Sequence, residues 1–131
     1  MNTFTDIKGV YANGIECGIK KNKKDLAYIY VPDAKASAGV FTRNKCAASS
    51  VSYTQAIMKK NTIKAVVVNS GNANCYTGTQ GEKDTKAMSK KASVLLNLRP
   101  SEVAVASTGI IGQSLPMDVI EEGLETLLAN P

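Results

Sequence analysis

The sequence predicts an α/β fold in which helices pack on one mixed β-sheet. Two runs of small and β-branched residues, at 65–69 and 103–107, each lead through a glycine-containing loop into an amphipathic helical pattern. This order is typical of a parallel βαβ unit with helices on one face of the sheet. A pair of shorter runs nearer the N-terminus predicts a hairpin, which makes the sheet mixed rather than wholly parallel. With 131 residues, the chain is expected to form a single domain or an incomplete one, spanning 1–131.

Three strands are predicted before residue 43, after an irregular entry segment at 1–14. Residues 15–20 alternate apolar and polar side chains, and residues 26–31 are rich in aromatic and β-branched side chains. The lysine-rich residues between these two segments predict the turn of a hairpin. Residues 38–42 read AGVFT and predict a third strand.

A short helix and a buried strand are predicted next. The helix at 52–60 is expected to turn Ala56 and Ile57 inward, and its basic end suits a helix C-terminus. The strand at 65–69 reads AVVVN, and such a continuous apolar run is typical of a strand covered on both faces. Glycine and asparagine then end the run, and they favour a turn in which Gly71 has a positive φ.

Two longer amphipathic helices are predicted, one after each apolar strand. Thr79 and Glu82 have the spacing of a capping box at the start of the first helix. Its inward positions recur at helical spacing and are Met88, Ala92, Leu95 and Leu96. The second helix begins near Pro116, since proline is tolerated in the first turn. Its inward positions are Met117, Ile120, Leu124, Leu127 and Leu128.

The charge distribution leaves two interpretations open. The net charge is +5, and much of the excess lies in lysine clusters at 20–24 and 83–91. These clusters either attract an anionic partner or form a solvated turn and a solvated helix face. No aromatic or arginine-rich pattern accompanies them, so solvation is favoured and no nucleic-acid partner is expected. Gly78 and Gly81 precede a helix and could hold an anion, although the capping box also explains them.

Other residue types exclude several kinds of site. The chain has no histidine and no C-x-x-C, which excludes a Cys/His zinc site and histidine-based catalytic triads. Cys17, Cys46 and Cys75 are expected to be small, buried thiols in a reducing compartment. Neither phosphate-loop nor dinucleotide motifs occur. Because a signal pattern and a long apolar run are also missing, a cytoplasmic location without membrane contact is expected.

The residues Thr108 and Gly109 form the candidate site, because they follow the apolar run at 103–107. Hydroxyl and backbone N–H groups at the carboxyl end of a strand can bind a ligand or stabilise an oxyanion. The alternative is a tight strand-to-helix turn with no binding or catalytic role. If the two apolar strands are parallel neighbours, the loops at 69–78 and 107–112 emerge at the same end and line one crevice.

Three long motifs carry a resemblance to a known family. They are AGVFTRNKCAAS at 38–49, VVVNSGNANCYTG at 66–78 and STGIIGQSLPMD at 107–118. In residues and order they resemble the ornithine acetyltransferase family, also called glutamate N-acetyltransferase, of arginine biosynthesis. GVYANGIECGIKKNKKDLA near the start is similar more loosely. The chain departs locally at Cys75-Tyr76, where the family more often has Ala-Cys.

The resemblance implies a self-cleaving precursor whose β chain begins with a nucleophilic threonine. That threonine takes an acetyl group from N-acetylornithine and passes it to glutamate, and some members also accept acetyl-CoA. No other cofactor and no metal are implied. Thr108 and Gly109 match the oxyanion hole of the family. The self-cleavage segment has no match here, so the chain is expected to be the N-terminal part of an α chain. Its expected partner is the β chain, in an αβ hetero-oligomer.

Two other functions remain open at this point. A self-cleaving aminopeptidase-like hydrolase would share the nucleophile but would release the acyl group to water. A non-catalytic anion-binding domain would use the basic surface alone. The intact Thr108-Gly109 motif favours the transferase over the binding domain.

Overall fold

The computed structural model describes residues 3–131 and arranges them as a four-stranded sheet with three α-helices. The strands are β1 (Tyr11–Ile15), β2 (Leu26–Tyr30), β3 (Ala65–Asn72) and β4 (Val103–Ile110), and they lie in that order across the sheet. The helices are α1 (Ser49–Met58), α2 (Gly78–Leu95) and α3 (Met117–Leu127). β1 pairs antiparallel with β2 and β2 with β3, whereas β3 and β4 are parallel. The predicted mixed sheet and βαβ unit are therefore confirmed.

Burial alternates along β3, and the alternation shows which face of the sheet carries the core. Ala65, Val67 and Asn69 are buried beneath the helices, whereas Val66 and Val68 on the opposite face are only half-buried. The prediction that this strand is covered on both faces is therefore wrong for the part of the chain that is described. The helices pack on one face, as predicted, and they leave the other apolar face open.

The two long helices bury the stripes that their sequences predict. Met88 and Ala92 of α2 and Ile120 and Leu124 of α3 are fully buried against the sheet and against each other. Fully burying side chains of this size stabilises a fold by about 1.5–3 kcal/mol for each large one. Leu95, the last residue of α2, is only half-buried, whereas Leu96 just beyond the helix is buried.

The hairpin is present, but its first strand lies earlier in the sequence than predicted. β1 ends at Ile15, and residues 16–25 form the connecting loop instead of a strand. The Asp25 carboxylate explains this arrangement, because its oxygens accept the backbone N–H groups of Cys17 and Lys20, both at 2.7 Å. These bonds curl the loop around a buried charge, and an extended strand could not make them.

Residues 38–42 do not form the predicted third strand. Phe41 is half-buried, and a Cβ atom at Gly39 would lie 2.7 Å from the Met58 sulfur, so this segment runs close to α1. The free edge of β4 is also occupied near its centre. The Thr54 hydroxyl of α1 donates to the Val105 carbonyl at 3.0 Å and accepts the Val105 N–H at 3.1 Å. A helix side chain thus takes the hydrogen bonds that another strand would need.

Two predicted details of the helices are wrong. α1 begins at Ser49, earlier than predicted, and Ala56 is exposed while Ile57 is half-buried. The capping box at Thr79 is also wrong, because α2 already begins at Gly78 and Thr79 lies inside the helix.

Candidate functional site

The candidate site lies where the parallel strands β3 and β4 end. Both strands continue further than predicted, so the small and hydroxylated residues belong to the sheet and not to turns. In the register of this pair, Ser70 lies opposite Thr108, and Gly71 lies opposite Gly109. The carboxyl ends of parallel strands are the usual position of ligand sites in α/β sheets.

Two glycines allow the strand ends to approach each other closely. Gly71 and Gly109 both have φ of 131°, as predicted for Gly71, and L side chains rarely adopt this conformation. A Cβ atom at Gly109 would overlap the carbonyl group of Gly71, and a Cβ atom at Gly71 would overlap the Ile19 side chain. Glycine is therefore required on both strands by conformation and by space.

The Gly109 amide lies on the outer edge of the sheet. In a strand, successive residues direct their N–H and C=O groups to alternate sides. Val105 directs both groups outward to Thr54, whereas the Ile110 carbonyl faces inward and accepts the Ala73 N–H at 2.9 Å. The same alternation turns the Gly109 N–H outward, away from β3. Because Gly109 is exposed, this donor is open to a ligand.

The Thr108 side chain is the second open donor. Thr108 is exposed, and within residues 3–131 its hydroxyl makes no hydrogen bond. The Thr108 side chain projects from the face of the sheet that the helices do not cover, next to Ser70 on β3. Thr108 and Gly109 thus offer two adjacent donors at one strand end.

Polar atoms buried just below this site lack partners. Asn69 is fully buried, and its side-chain amide donates to the Asn72 carbonyl at 3.0 Å, which braces the end of β3. Asn69 and Ser107 are directly paired across the two strands. Among the described residues, neither the Asn69 Oδ1 nor the Ser107 Oγ has a hydrogen-bond partner. Unpaired buried polar atoms are uncommon in native proteins. Hydrogen bonding at this strand end is therefore incomplete within residues 3–131.

The two loops beyond the strands converge, as predicted. The Asn72 side-chain amide donates to the Ser114 carbonyl, and the Gly112 N–H donates to the Cys75 carbonyl, both at 2.9 Å. Tyr76, Ile110 and Ile111 stand at the rim of this junction and are 85%, 57% and 66% exposed. Exposed apolar side chains that cluster around a site are typical of a surface that another chain or segment covers.

Asn74 ties the loop before α2 to the first turns of that helix. It is fully buried, and its amide nitrogen donates to the Gly81 carbonyl at 2.9 Å and to the Thr85 hydroxyl at 2.8 Å. Its oxygen accepts the Thr77 hydroxyl at 2.8 Å. Asn74 and Thr77 fill the space beside Gly81, so the anion site considered at Gly78 and Gly81 has no room on the Gly81 side, whereas the space beside Gly78 is open.

The loop at 16–25 reaches the same strand end through Asp25. Burial opposes ionisation of Asp25, but the N–H groups of Cys17, Lys20 and Gly18 outweigh it and lower the pKa of this carboxyl. The Asp25 carbonyl also accepts the Ser70 N–H at 2.8 Å, which fixes the loop to β3. Sequence analysis missed this residue, since a single aspartate after a lysine run gives no local signal of burial.

Cys17 lacks the properties of a nucleophile. Burial, reinforced by the neighbouring Asp25, raises the pKa of the Cys17 thiol to about 11, so it is protonated at neutral pH. Cys75 is half-buried, but Cys46 is exposed, which corrects the expectation that all three are buried. All three are free thiols.

Neither a metal centre nor a membrane span is found in the described part of the chain. Residues 3–131 contain no cluster of three or more cysteine, aspartate or glutamate side chains able to bind a metal ion. None of the helices in that part is long and apolar enough to cross a bilayer.

Comparison with known proteins gives consistent matches. The model of the ArgJ family matches residues 11–131. The chain is similar to the arginine biosynthesis bifunctional protein ArgJ of Oceanobacillus iheyensis (41% identity over 124 residues) and of Streptomyces avermitilis (44% over 130 residues). The alignments cover 94% and 98% of this chain but only 30% and 34% of the relatives, so it spans about a third of their length.

Two solved structures share the fold. One is the arginine biosynthesis bifunctional protein ArgJ of Bacillus halodurans, and the other is an ornithine acetyltransferase from Mycobacterium tuberculosis in complex with ornithine. Each matches with a TM-score of 0.89 and 39% identity over 94% of this chain. The matches cover 65% and 67% of those chains.

Proposed function

This chain belongs to the ArgJ family, and we propose that it supplies the oxyanion hole of a glutamate N-acetyltransferase in arginine biosynthesis. The complete protein would transfer the acetyl group of N-acetylornithine to glutamate. Residues 1–131 would be the N-terminal part of its α chain, and the nucleophilic threonine would lie on a β chain released by self-cleavage. The names of the relatives and the ornithine-bound structure of one of them support this assignment.

The observation that carries the proposal is the pair of open donors on adjacent residues. The Thr108 hydroxyl is exposed and makes no hydrogen bond within residues 3–131, and the Gly109 N–H lies on the free edge of β4. An oxyanion hole needs two such donors fixed in place before charge develops. The close approach of Gly71 and Gly109 and the brace from Asn69 hold this strand end rigidly.

The chemistry follows from these two donors. The threonine hydroxyl oxygen of the β chain bonds to the acetyl carbonyl carbon, and the carbonyl π electrons move onto the oxygen. Thr108 and Gly109 bind that oxygen more strongly than the ground-state carbonyl, since its charge is larger. The π bond then re-forms and the C–N bond breaks, so ornithine leaves with the hydroxyl proton on its amine. The glutamate amine reverses these steps on the acetyl-threonine ester and regenerates the threonine.

The exposed surface of the chain suits the expected partner. Tyr76, Ile110 and Ile111 are exposed apolar residues on the strand end and loops that carry the donors, and a β chain seated there would exclude water from the reaction. The αβ hetero-oligomer, the cytoplasmic location and the use of acetyl-CoA as another acetyl donor are parts of this proposal. No resident cofactor is needed for the steps above.

The test uses the complete protein with N-acetylornithine and glutamate as substrates. Acetylglutamate formation is expected. Release of free acetate in place of acetylglutamate would instead indicate a hydrolase, and the absence of both products would leave an anion-binding protein.

The role of Thr108 is tested by Thr108→Ala in the same complete protein. Loss of one oxyanion donor lowers kcat by about 10²–10³, or roughly 3–4 kcal/mol, and we expect this loss with little change in KM. Thr79→Ala is the matched control, because Thr79 is an exposed threonine in the first turn of α2. A correctly folded Thr108→Ala protein with the kcat of the control would show that Thr108 is only a structural residue.

A further inference from the structure

One lysine of the basic loop is attached to the candidate site. The Lys20 Nζ donates a hydrogen bond to the Ser70 Oγ at 2.6 Å, and both residues are half-buried. The other lysines of the cluster at 20–24 are exposed, as expected for a solvated turn. Lys20 therefore differs from its neighbours, although nothing in the local sequence distinguishes it.

The backbone around Lys20 is held in place at several points. The Asp25 carboxylate accepts the Lys20 N–H at 2.7 Å, and the Asp25 carbonyl accepts the Ser70 N–H at 2.8 Å. Gly71 lies beside this part of the loop, since a Cβ atom there would overlap the Ile19 side chain and would be in ordinary contact with the Lys20 Cγ at 3.4 Å. The loop that carries Lys20 is thus packed closely against the end of β3.

The ammonium is also close to the proposed oxyanion hole. Ser70 and Thr108 are directly paired on parallel strands, so their side chains leave the same face about 4.8 Å apart. Among residues 3–131, no carboxylate forms an ion pair with Lys20, whereas Lys64, Lys91 and Arg99 each have one. Its positive charge is therefore available to an anion that binds beside Thr108.

We propose that Lys20, anchored by Ser70, supplies the positive charge that assists Thr108 and Gly109 in stabilising the tetrahedral oxyanion. This inference rests on the proposed acetyl transfer. An oxygen bound by the Thr108 hydroxyl would lie roughly 5–10 Å from the ammonium, because one strand spacing and two hydrogen bonds separate them. At that distance a unit charge in a partly dehydrated site has a substantial effect on a developing negative charge. The effect is larger on the transition state than on the neutral carbonyl, so it appears in kcat.

The experiment compares Lys20→Met with Lys21→Met in the complete protein. Lys21 is exposed and adjacent, so its substitution removes the same formal charge from the loop without touching Ser70. We expect Lys20→Met to lower kcat by about 10-fold to 100-fold with less than a threefold change in KM, and Lys21→Met to match the parent protein. Lys20→Arg retains the charge and should recover most of the lost kcat.

Ser70→Ala gives a second measurement in case Lys20→Met folds poorly. It removes the anchor but retains the positive charge of Lys20, so we expect a smaller loss of kcat than in Lys20→Met. A rise in KM with unchanged kcat in Lys20→Met would overturn the proposal, since the lysine would then bind the ground-state substrate. Equal kcat values for Lys20→Met and Lys21→Met would also overturn it.

Parallel assays of Thr108→Ala separate this inference from the function on which it rests. If Thr108→Ala loses activity and Lys20→Met does not, the proposed oxyanion hole is supported and the role of Lys20 is refuted. If Thr108→Ala retains full kcat, the oxyanion hole itself is refuted.

Discussion

Alanine substitution at three glycines provides a graded test of the strand-end geometry. Gly9, Gly71 and Gly109 all have positive φ, at 84°, 131° and 131°. Their surroundings differ, because a Cβ atom at Gly9 would meet no atom within 4 Å. At Gly71 it would overlap the Ile19 side chain, and at Gly109 it would overlap the backbone of β3. The three substitutions share backbone strain and differ in steric conflict.

The expected losses of unfolding free energy follow from these two contributions. Gly9→Ala should cost about 1–2 kcal/mol, which is the strain of a left-handed backbone alone. Gly71→Ala should cost roughly 2–5 kcal/mol, since overpacking against Ile19 adds about 1–3 kcal/mol. Gly109→Ala should cost the most, about 3–6 kcal/mol, because backbone atoms cannot rotate away and the bond from the Ala73 N–H to the Ile110 carbonyl is lost as well.

Urea unfolding of the complete protein, followed by circular dichroism, measures this order. Amide hydrogen exchange at Ala73 reports whether the strand end opens locally, and it should be faster in Gly109→Ala than in Gly9→Ala. We expect Gly71→Ala to displace Ile19, and with it the neighbouring Lys20, and to reduce kcat by more than its loss of stability explains. Equal losses of stability at Gly9 and Gly109 would refute the close approach of the two strands.

Three further outcomes are expected. This chain alone should form no acetylglutamate, because the proposed nucleophile lies elsewhere; measurable turnover by the purified chain would contradict the divided site. Iodoacetamide at pH 7 should modify the exposed Cys46 well before Cys17, whose pKa is about 11, without loss of activity in the complete protein; inactivation that substrate prevents would contradict this. Hydrogen bonds from the Arg99 backbone and side chain, opposed by burial, lower the pKa of Glu102 from 4.5 to about 2. Glu102 therefore stabilises the fold above pH 4.5, and this contribution is lost as the pH falls towards 2. Glu102→Gln should flatten that part of the stability curve, and an unchanged curve would count against the ion pair.

Local sequence patterns were sufficient for the elements whose formation depends mainly on apolar periodicity. The stripe that includes Met88 and Ala92 predicts α2 because helical spacing places those residues on one face, whatever they pack against. The run that includes Val67 predicts β3 for a similar reason, although only one of its two faces is buried as predicted. The same patterns did not predict the burial of Asn74 and Asp25. Both residues are buried where they make hydrogen bonds to groups elsewhere in the chain, and apolar periodicity does not reveal such partners.

The sequence by itself determined the βαβ order, the amphipathic helices and the position of Thr108 and Gly109 directly after an apolar run. Only the tertiary structure decided that Gly71 and Gly109 share a register, that Thr54 occupies the edge of β4 and that Lys20 reaches Ser70. Those contacts join residues 38 to 51 positions apart, and no local propensity encodes such a pairing. They follow from strand register and from the path of the loop around Asp25, which are settled when the whole sheet assembles.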